Sequence, residues 1–328
     1  MQKVAIYGLG AVGGLIAARM VAAGCEVSAV AHGQTLAAIQ RHGLRLRVSG
    51  QLQTVPLRVE ENPEALGVQD IVFIAVKSPA LAQVVARIAP LIGPHTMVVT
   101  AMNGVPWWFF EARDVPFQGT ALQSLDPDRK LAAAIPIGHI VGCVVHFSSS
   151  RPEPGFVELK SGNRLILGEP DGAMSERLQA LVRLLEKGGF QADASSNIRG
   201  DIWYKLWGNM TMNPVTAVTG ANTQQVLDDP LLNEFCRAAM REAAQIGEKV
   251  GCAIAQTAEE RNEVTRKLGA FKTSMLQDAE AGRPLEIDGL LTVVHEIGIL
   301  AGVKTPTIDG LLGLTRVFGR AHGIYGCP

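Results

Sequence analysis

Charge of either sign is not in excess in this 328-residue chain: 30 Lys and Arg stand against 31 Asp and Glu. A net charge of −1 gives no basic field, which disfavours a nucleic-acid partner. Cysteine is scarce as well. Cys25, Cys143, Cys236, Cys252 and Cys327 are odd in number, scattered, and form no CxxC pair. That fits reduced thiols better than a disulfide framework or a zinc site. The seven histidines show no HExxH or similar ligand spacing, so no metal is expected. Long apolar runs are missing too. The stretch at 9–23 is broken by Gly13, Gly14 and Arg19 and is too short to span a bilayer. The first strand is expected from Gln2, with no room for a signal peptide, so a soluble cytoplasmic protein is the expectation.

What is present is ordinary globular material, 47% hydrophobic and 19% charged, in a chain long enough for two domains. "KVAIYG", "CEVSAV", "QDIVFIAV" and "TMVVTAMNG" have the apolar texture of strands, with helix-compatible stretches "AVGGLIAARMVAAG" and "PALAQVVARIAPLIG" between them. Such alternation predicts an α/β doubly wound parallel sheet. After about residue 135 the pattern turns antiparallel. "IVGCVVHF" is one strand, and "GFVELKSGNRLILGE" predicts a strand pair turned at Ser161-Gly162-Asn163. A helix is expected at 174–188, and from 198 onward almost only helical periodicity remains. "EFCRAAMREAAQIGEKVG" and "EERNEVTRKLGAFKTSMLQDAEAG" stand out there as long amphipathic helices. The domains are therefore expected at 1–197, binding a dinucleotide, and 198–328, all-helical.

"GLGAVG" lies between the first strand and the first helix: Gly8, Leu9, Gly10, Ala11, Val12 and Gly13. Gly8 suits the tight turn, Gly10 lets the backbone approach a pyrophosphate, and Gly13 permits close helix–strand packing. The helix N-terminus then presents amide donors to phosphate. A strand before and a second strand on schedule favour dinucleotide binding over a mere packing turn. At the end of the second strand, where a carboxylate would accept from the ribose of NAD, stands His32. No acidic residue occurs between Glu26 and Glu60, whereas Arg41, Arg45, Arg47 and Arg58 do. NADPH is the expected cofactor, with NADH left open because histidine is a weaker phosphate partner than arginine. Lys77 and Asn103 end two further strands and face the ligand side, although Asn103-Gly104 is equally a turn signal.

In "DIWYKLWGNMTMNP", residues 201–214, Lys205, Asn209 and Asn213 recur every four positions on an otherwise apolar helix. They share one side of it, either as a solvated stripe or as the wall of a site. Downstream, "KTSMLQDAEAGRPLEIDGL" sets Ser274, Gln277 and Asp278 on one helix face, with Glu286 beyond Gly282 and Pro284. Lysine, amides, a hydroxyl and a carboxylate beside a nicotinamide suit the reduction of a carbonyl.

Taken together, the glycine turn, Lys77, Asn103-Gly104, "WYKLWGNMTMNPVTAVTG" and "TSMLQDAEAGRPLEIDGL" resemble the ketopantoate reductase family over almost the whole chain. The resemblance implies a Rossmann-like domain followed by a helical domain like that of 6-phosphogluconate dehydrogenase. It implies reduction of 2-dehydropantoate to pantoate with NADPH, on the way to pantothenate and coenzyme A. Lys205 would be the catalytic lysine, Asn209 and Asn213 would line the substrate pocket, and Ser274 would hold the substrate carboxylate. Glu286 would bind the substrate hydroxyl or the lysine, and Lys77 and Asn103 would reach cofactor and substrate. The chain departs from the family in four places. His32 stands for an arginine, Thr223 and Phe271 stand for asparagines, and "VPWWFF" follows Asn103-Gly104. The aromatics read either as packing or as a pocket reshaped for a bulkier 2-keto acid. Two rival readings stay open: a reductase of another small 2-keto acid, and an NADPH-sensing protein without turnover. A homodimer is possible, with no seam demanding it.

Overall fold

The apolar run Ile71–Ile74 is buried at every position, as expected of a parallel strand covered on both faces. It sits inside a mixed sheet of the computed structural model, which describes residues 1–326. Cys327 lies outside the described residues; the other four cysteines are buried. In chain order the strands are β1 (Lys3–Tyr7), β2 (Glu26–Val30), β3 (Leu44–Val48), β4 (Gln51–Val55) and β5 (Arg58–Glu60). They continue with β6 (Ile71–Ile74), β7 (Met97–Thr100), β8 (Ile140–Glu153), β9 (Phe156–Gly168) and β10 (Gln191–Ala194). Across the sheet the order is β4-β3-β9-β8-β7-β6-β1-β2-β5, with β10 beside β9. Pairing is parallel from β5 through β2, β1, β6 and β7 to β8, and β9 then runs antiparallel to β8.

The helices of this unit are α1 (Ala11–Ala22), α2 (Gly33–His42), α3 (Leu81–Val85), α4 (Lys130–Ala134) and α5 (Glu176–Lys187). Leu15 and Ile16 of α1 and Leu178, Leu181 and Leu185 of α5 are buried in its core. Each such side chain contributes about 1.5–3 kcal/mol of burial. Gly24, at φ +86, ends α1 in the left-handed conformation that glycine accepts without strain. The fold is a Rossmann-like α/β unit together with a helical one. The first compact unit is 1–102 with 129–201, and the second is 103–128 with 202–328. The division falls inside α6 (Ile198–Thr219), and segment 103–128, expected with the first domain, groups with the second unit. The other helices there are α7 (Thr223–Asp228), α8 (Pro230–Lys249), α9 (Ala258–Lys267), α10 (Ser274–Glu280), α11 (Val293–Leu300) and α12 (Pro306–Ala321). Among the described residues no helix is long and apolar enough to cross a membrane.

Three local expectations are corrected. Ser161-Gly162-Asn163 does not reverse the chain, because residues 156–168 form the single strand β9. Gly162 instead occupies an irregularity in the β8–β9 register at φ +71, where a Cβ would lie 2.7 Å from the His146 carbonyl oxygen. That is the bulge role of glycine, which looks like a turn in sequence. The reversal comes earlier, around Gly155 at φ +70. The helix expected at 79–93 breaks into α3 and short 3-10 turns, since Pro90 removes a donor and restricts Ala89. The long helix expected before Gly282 is two helices, α9 and α10, separated at 268–273. Thr223 holds that break open. Its Oγ1 donates to the Gly269 carbonyl (3.1 Å), and its backbone N–H donates to the Phe271 carbonyl (3.1 Å).

Candidate active site

In the first unit Gly8 and Gly13 sit where a side chain would clash. Gly8 lies at φ +101, and a Cβ there would meet Val76 Cγ1 at 2.6 Å. A Cβ on Gly13 would fall 2.0 Å from the Gly8 carbonyl oxygen, so helix and strand could not close on any larger residue. Gly10 is the contrast: a Cβ there would meet nothing within 4 Å. Gly10 also caps α1 without a side-chain hydrogen bond, and the first turn carries no acid. Leu9 turns into the core, while Ala11 and Val12 open the helix. An open glycine cap on a helix N-terminus offers unshielded amides and a positive dipole end to a diphosphate. These residues fit a dinucleotide.

The end of β2 is less simple than its sequence. His32 is exposed and caps α2 without a side-chain bond. No carboxylate is near it in sequence, yet β5 pairs with β2 so that Val30 faces Glu60, and the Ala31 N–H donates to the Glu60 carbonyl. Glu61 therefore arrives beside His32, with Oε1 3.4 Å from Nδ1. The arginines expected to serve a 2′-phosphate are mostly engaged elsewhere. Arg45 pairs with Glu153 (2.9 Å), Arg47 with Glu158 (4.0 Å), and Arg58 with Glu60 (3.1 Å). Arg45 and Arg47 also lie over the Phe156 ring. A different cation, Arg151 of β8, reaches α2 by donating to Thr35 Oγ1 at 3.0 Å. Lys77 follows β6 in extended conformation, with its Nζ shielded from solvent.

In the second unit α6 carries Lys205, Asn209 and Asn213 at its four-residue spacing. Lys205 and Asn209 are half-buried, and Asn213 is buried. Trp203, Leu206, Trp207 and Met210 take the other directions and fill the core, and both indole N–H groups donate to carbonyls of α8. The Lys205 Nζ donates to Asn103 Oδ1 at 2.8 Å. Asn103 is set by its neighbour. Gly104 lies at φ +84, and a Cβ there would come 2.1 Å from the Gly289 carbonyl oxygen, which also accepts from the Val105 N–H (3.1 Å). Gly289 belongs to a π-helical turn, Asp288–Thr292, two residues beyond Glu286. Such turns free a carbonyl from the helical ladder. The Asn103 loop thus touches both the lysine helix and the segment carrying Glu286, which is half-buried.

Ser274 begins α10 and is exposed. Its neighbour Thr273 caps α10 and hydrogen-bonds Thr216 of α6 at 2.6 Å, one turn beyond Asn213. Gln277 and Asp278 turn to structural partners instead. Gln277 donates to the Lys272 carbonyl, and Asp278 accepts from Arg283 at 2.9 Å. The aromatics Trp107, Trp108, Phe109 and Phe110 are all buried, with Phe109 6.0 Å from Trp203 and 5.2 Å edge-on to Phe110. Of their two readings, packing is the one the geometry supports. Sequence reasoning missed Arg261 of α9. Its guanidinium lies against Gly208, where a Cβ would be 2.7 Å from Nη2, and 5.6 Å over the Tyr204 ring. Burial pushes its pKa down, with Tyr204 opposing. A glycine inside a buried helix was the available signal for that close approach. Among the described residues no three His, Cys, Asp or Glu side chains gather as a metal-binding group.

Comparison with known proteins finds relatives over nearly the whole chain. Residues 4–172 match the family model "Ketopantoate reductase PanE/ApbA", and residues 197–318 match its C-terminal counterpart. The 2-dehydropantoate 2-reductase of Mesorhizobium japonicum is 41% identical over 99% of this chain and 100% of its own. That of Archaeoglobus fulgidus is 28% identical over 96% and 97%. A crystal structure from Ralstonia solanacearum MolK2, assigned as a ketopantoate reductase, superposes with a TM-score of 0.96 at 52% identity, covering 99% of both chains. The chain therefore belongs to the ketopantoate reductase family.

Proposed function

We propose that the protein reduces 2-dehydropantoate to pantoate at the expense of a nicotinamide dinucleotide, in the cytoplasm and as a step of pantothenate and coenzyme A synthesis. When bound, the dinucleotide supplies a hydride to the ketone carbon. The rest falls to this chain's side chains. The Lys205 ammonium polarises the ketone oxygen and gives it a proton, leaving the secondary alcohol. Asn103 accepts from the Lys205 Nζ and so fixes the direction of the ammonium. Asn209 and Asn213 line the substrate pocket, Ser274 holds the substrate carboxylate, and Glu286 accepts from the substrate hydroxyl or from Lys205. Gly8 to Gly13 hold the diphosphate, and Lys77 reaches toward cofactor and substrate. The reductant implied by family resemblance is NADPH.

The observation that carries this reading is the 2.8 Å bond between Lys205 and Asn103, an oriented cation where a solvated stripe would leave a loose one. Names of relatives at 41% and 28% identity over nearly the full chain support the substrate. Burial of the 107–110 aromatics supports their reading as packing. The test is oxidation of NADPH and NADH followed at 340 nm with 2-dehydropantoate and a panel of other 2-keto acids. Highest kcat/KM for 2-dehydropantoate is expected. Higher efficiency with another acid would move the assignment to that acid, and no turnover with any would end the reductase reading.

A further inference from the structure

We propose that Glu61, delivered to the end of β2 by the β2–β5 pairing, reads the adenosine ribose and makes the protein prefer NADH over NADPH. The inference deepens the reductase reading and rests on it for the cofactor class. In a parallel sheet of this kind, the residue at the end of the second strand meets the ribose. A carboxylate there accepts from the 2′-OH, and a cation accommodates the 2′-phosphate. The strand end itself supplies His32, and Glu61 Oε1 lies 3.4 Å from its Nδ1. The Glu60 side chain is occupied by Arg58, whose guanidinium also donates to the Ala65 carbonyl. Glu61, exposed and beside the ring, is therefore the carboxylate presented there.

A 2′-phosphate carries about −1.5 to −2 charge near neutral pH, judged by phosphate monoesters on proteins. Next to Glu61 it would be repelled, whereas a 2′-OH would gain an acceptor. The opposing group is Arg151, bonded to Thr35 one turn into α2. Arg45 and Arg47 are held by Glu153, Glu158 and the face of Phe156. The carboxylate beside the strand end is thus Glu61.

The test measures dissociation constants of NADH and NADPH by quenching of tryptophan fluorescence, and of AMP and 2′-phospho-AMP by calorimetry, without any keto acid. The full-length protein, Glu61→Gln and Arg151→Met are compared. Wild type should bind NADH at least about tenfold tighter than NADPH, the order expected of one unit-charge repulsion at an exposed site. Glu61→Gln should erase most of that ratio, chiefly by tightening NADPH and 2′-phospho-AMP. Preference for NADPH in wild type, an unchanged ratio in Glu61→Gln, or no binding of either dinucleotide would each overturn the proposal. A wild-type NADPH preference lost in Arg151→Met would transfer the ribose reader to Arg151. Because binding is read apart from turnover, NADH preference without keto-acid reduction sinks the reductase reading and leaves this one standing.

Discussion

Lys205 and Asn103 are separated by 102 residues, and the ammonium of one donates to the amide oxygen of the other at 2.8 Å. A lysine ammonium on a flexible stem loses rotamer freedom when fixed, so an oriented one reflects a specific partner. Lys205→Ala is expected to lower kcat by roughly 10²–10⁴-fold, the usual worth of a positioned acid. Asn103→Ala should cost less, about 10–100-fold, the range of one hydrogen bond to a charged group. Steady-state kinetics at saturating cofactor decide it, and a Lys205→Ala enzyme with wild-type kcat would remove the lysine from proton transfer.

Glu286 lies three residues before Gly289, whose carbonyl is fixed against the Asn103 loop. Replacing it by Ala should raise KM for a hydroxylated keto acid more than it lowers kcat. For a keto acid lacking the hydroxyl, the change in KM should be small. Equal effects on both substrates would show that Glu286 does not read the hydroxyl.

Gly104 holds a positive φ and leaves no room for a Cβ. Gly104→Ala places a methyl 2.1 Å from the Gly289 oxygen at φ +84. The left-handed backbone alone costs roughly 1–2 kcal/mol, and the clash adds to it. A fall in urea midpoint and a loss of activity larger than Asn103→Ala causes are both expected, since the loop must move as a whole. Wild-type activity at wild-type stability would mean that the loop tolerates displacement.

Cys236 is fully buried, and burial pushes its thiol pKa up to about 12. Below the ordinary thiol pKa the group is protonated in both folded and unfolded chains and favours neither. Between that value and about 12, only the unfolded chain ionises, so stability falls as pH rises through this window. Cys236→Ala should therefore show a shallower loss of unfolding free energy from pH 9 to 10.5 than wild type, measured by urea titration. An identical slope would indicate that the thiol already ionises in the folded state.

Much of the fold and part of the site were legible along the chain because they are local. The glycine turn needs only a strand before it and a helix after it. The spacing of Lys205, Asn209 and Asn213 needs only a helix, and α6 supplies one. Other features failed as local readings. Gly162 looked like a turn and is a bulge, and 259–282 looked like one helix and is two, held apart by Thr223 from 46 residues away. The absence of a carboxylate near His32 was true of the sequence and untrue of the fold, since β5 brings Glu61 beside it.

Residue type, strand and helix order, and the polar stripe on an apolar helix were determined by the sequence itself, because backbone sterics and hydrophobic periodicity act over a few residues. Only tertiary structure decided that Asn103 meets Lys205, that residues 103–128 group with the helical unit, and that Glu61 stands at the end of β2. Those outcomes depend on strand pairing and core packing between segments far apart in the chain. No local pattern encodes such contacts, because their energy appears only once both segments are in place.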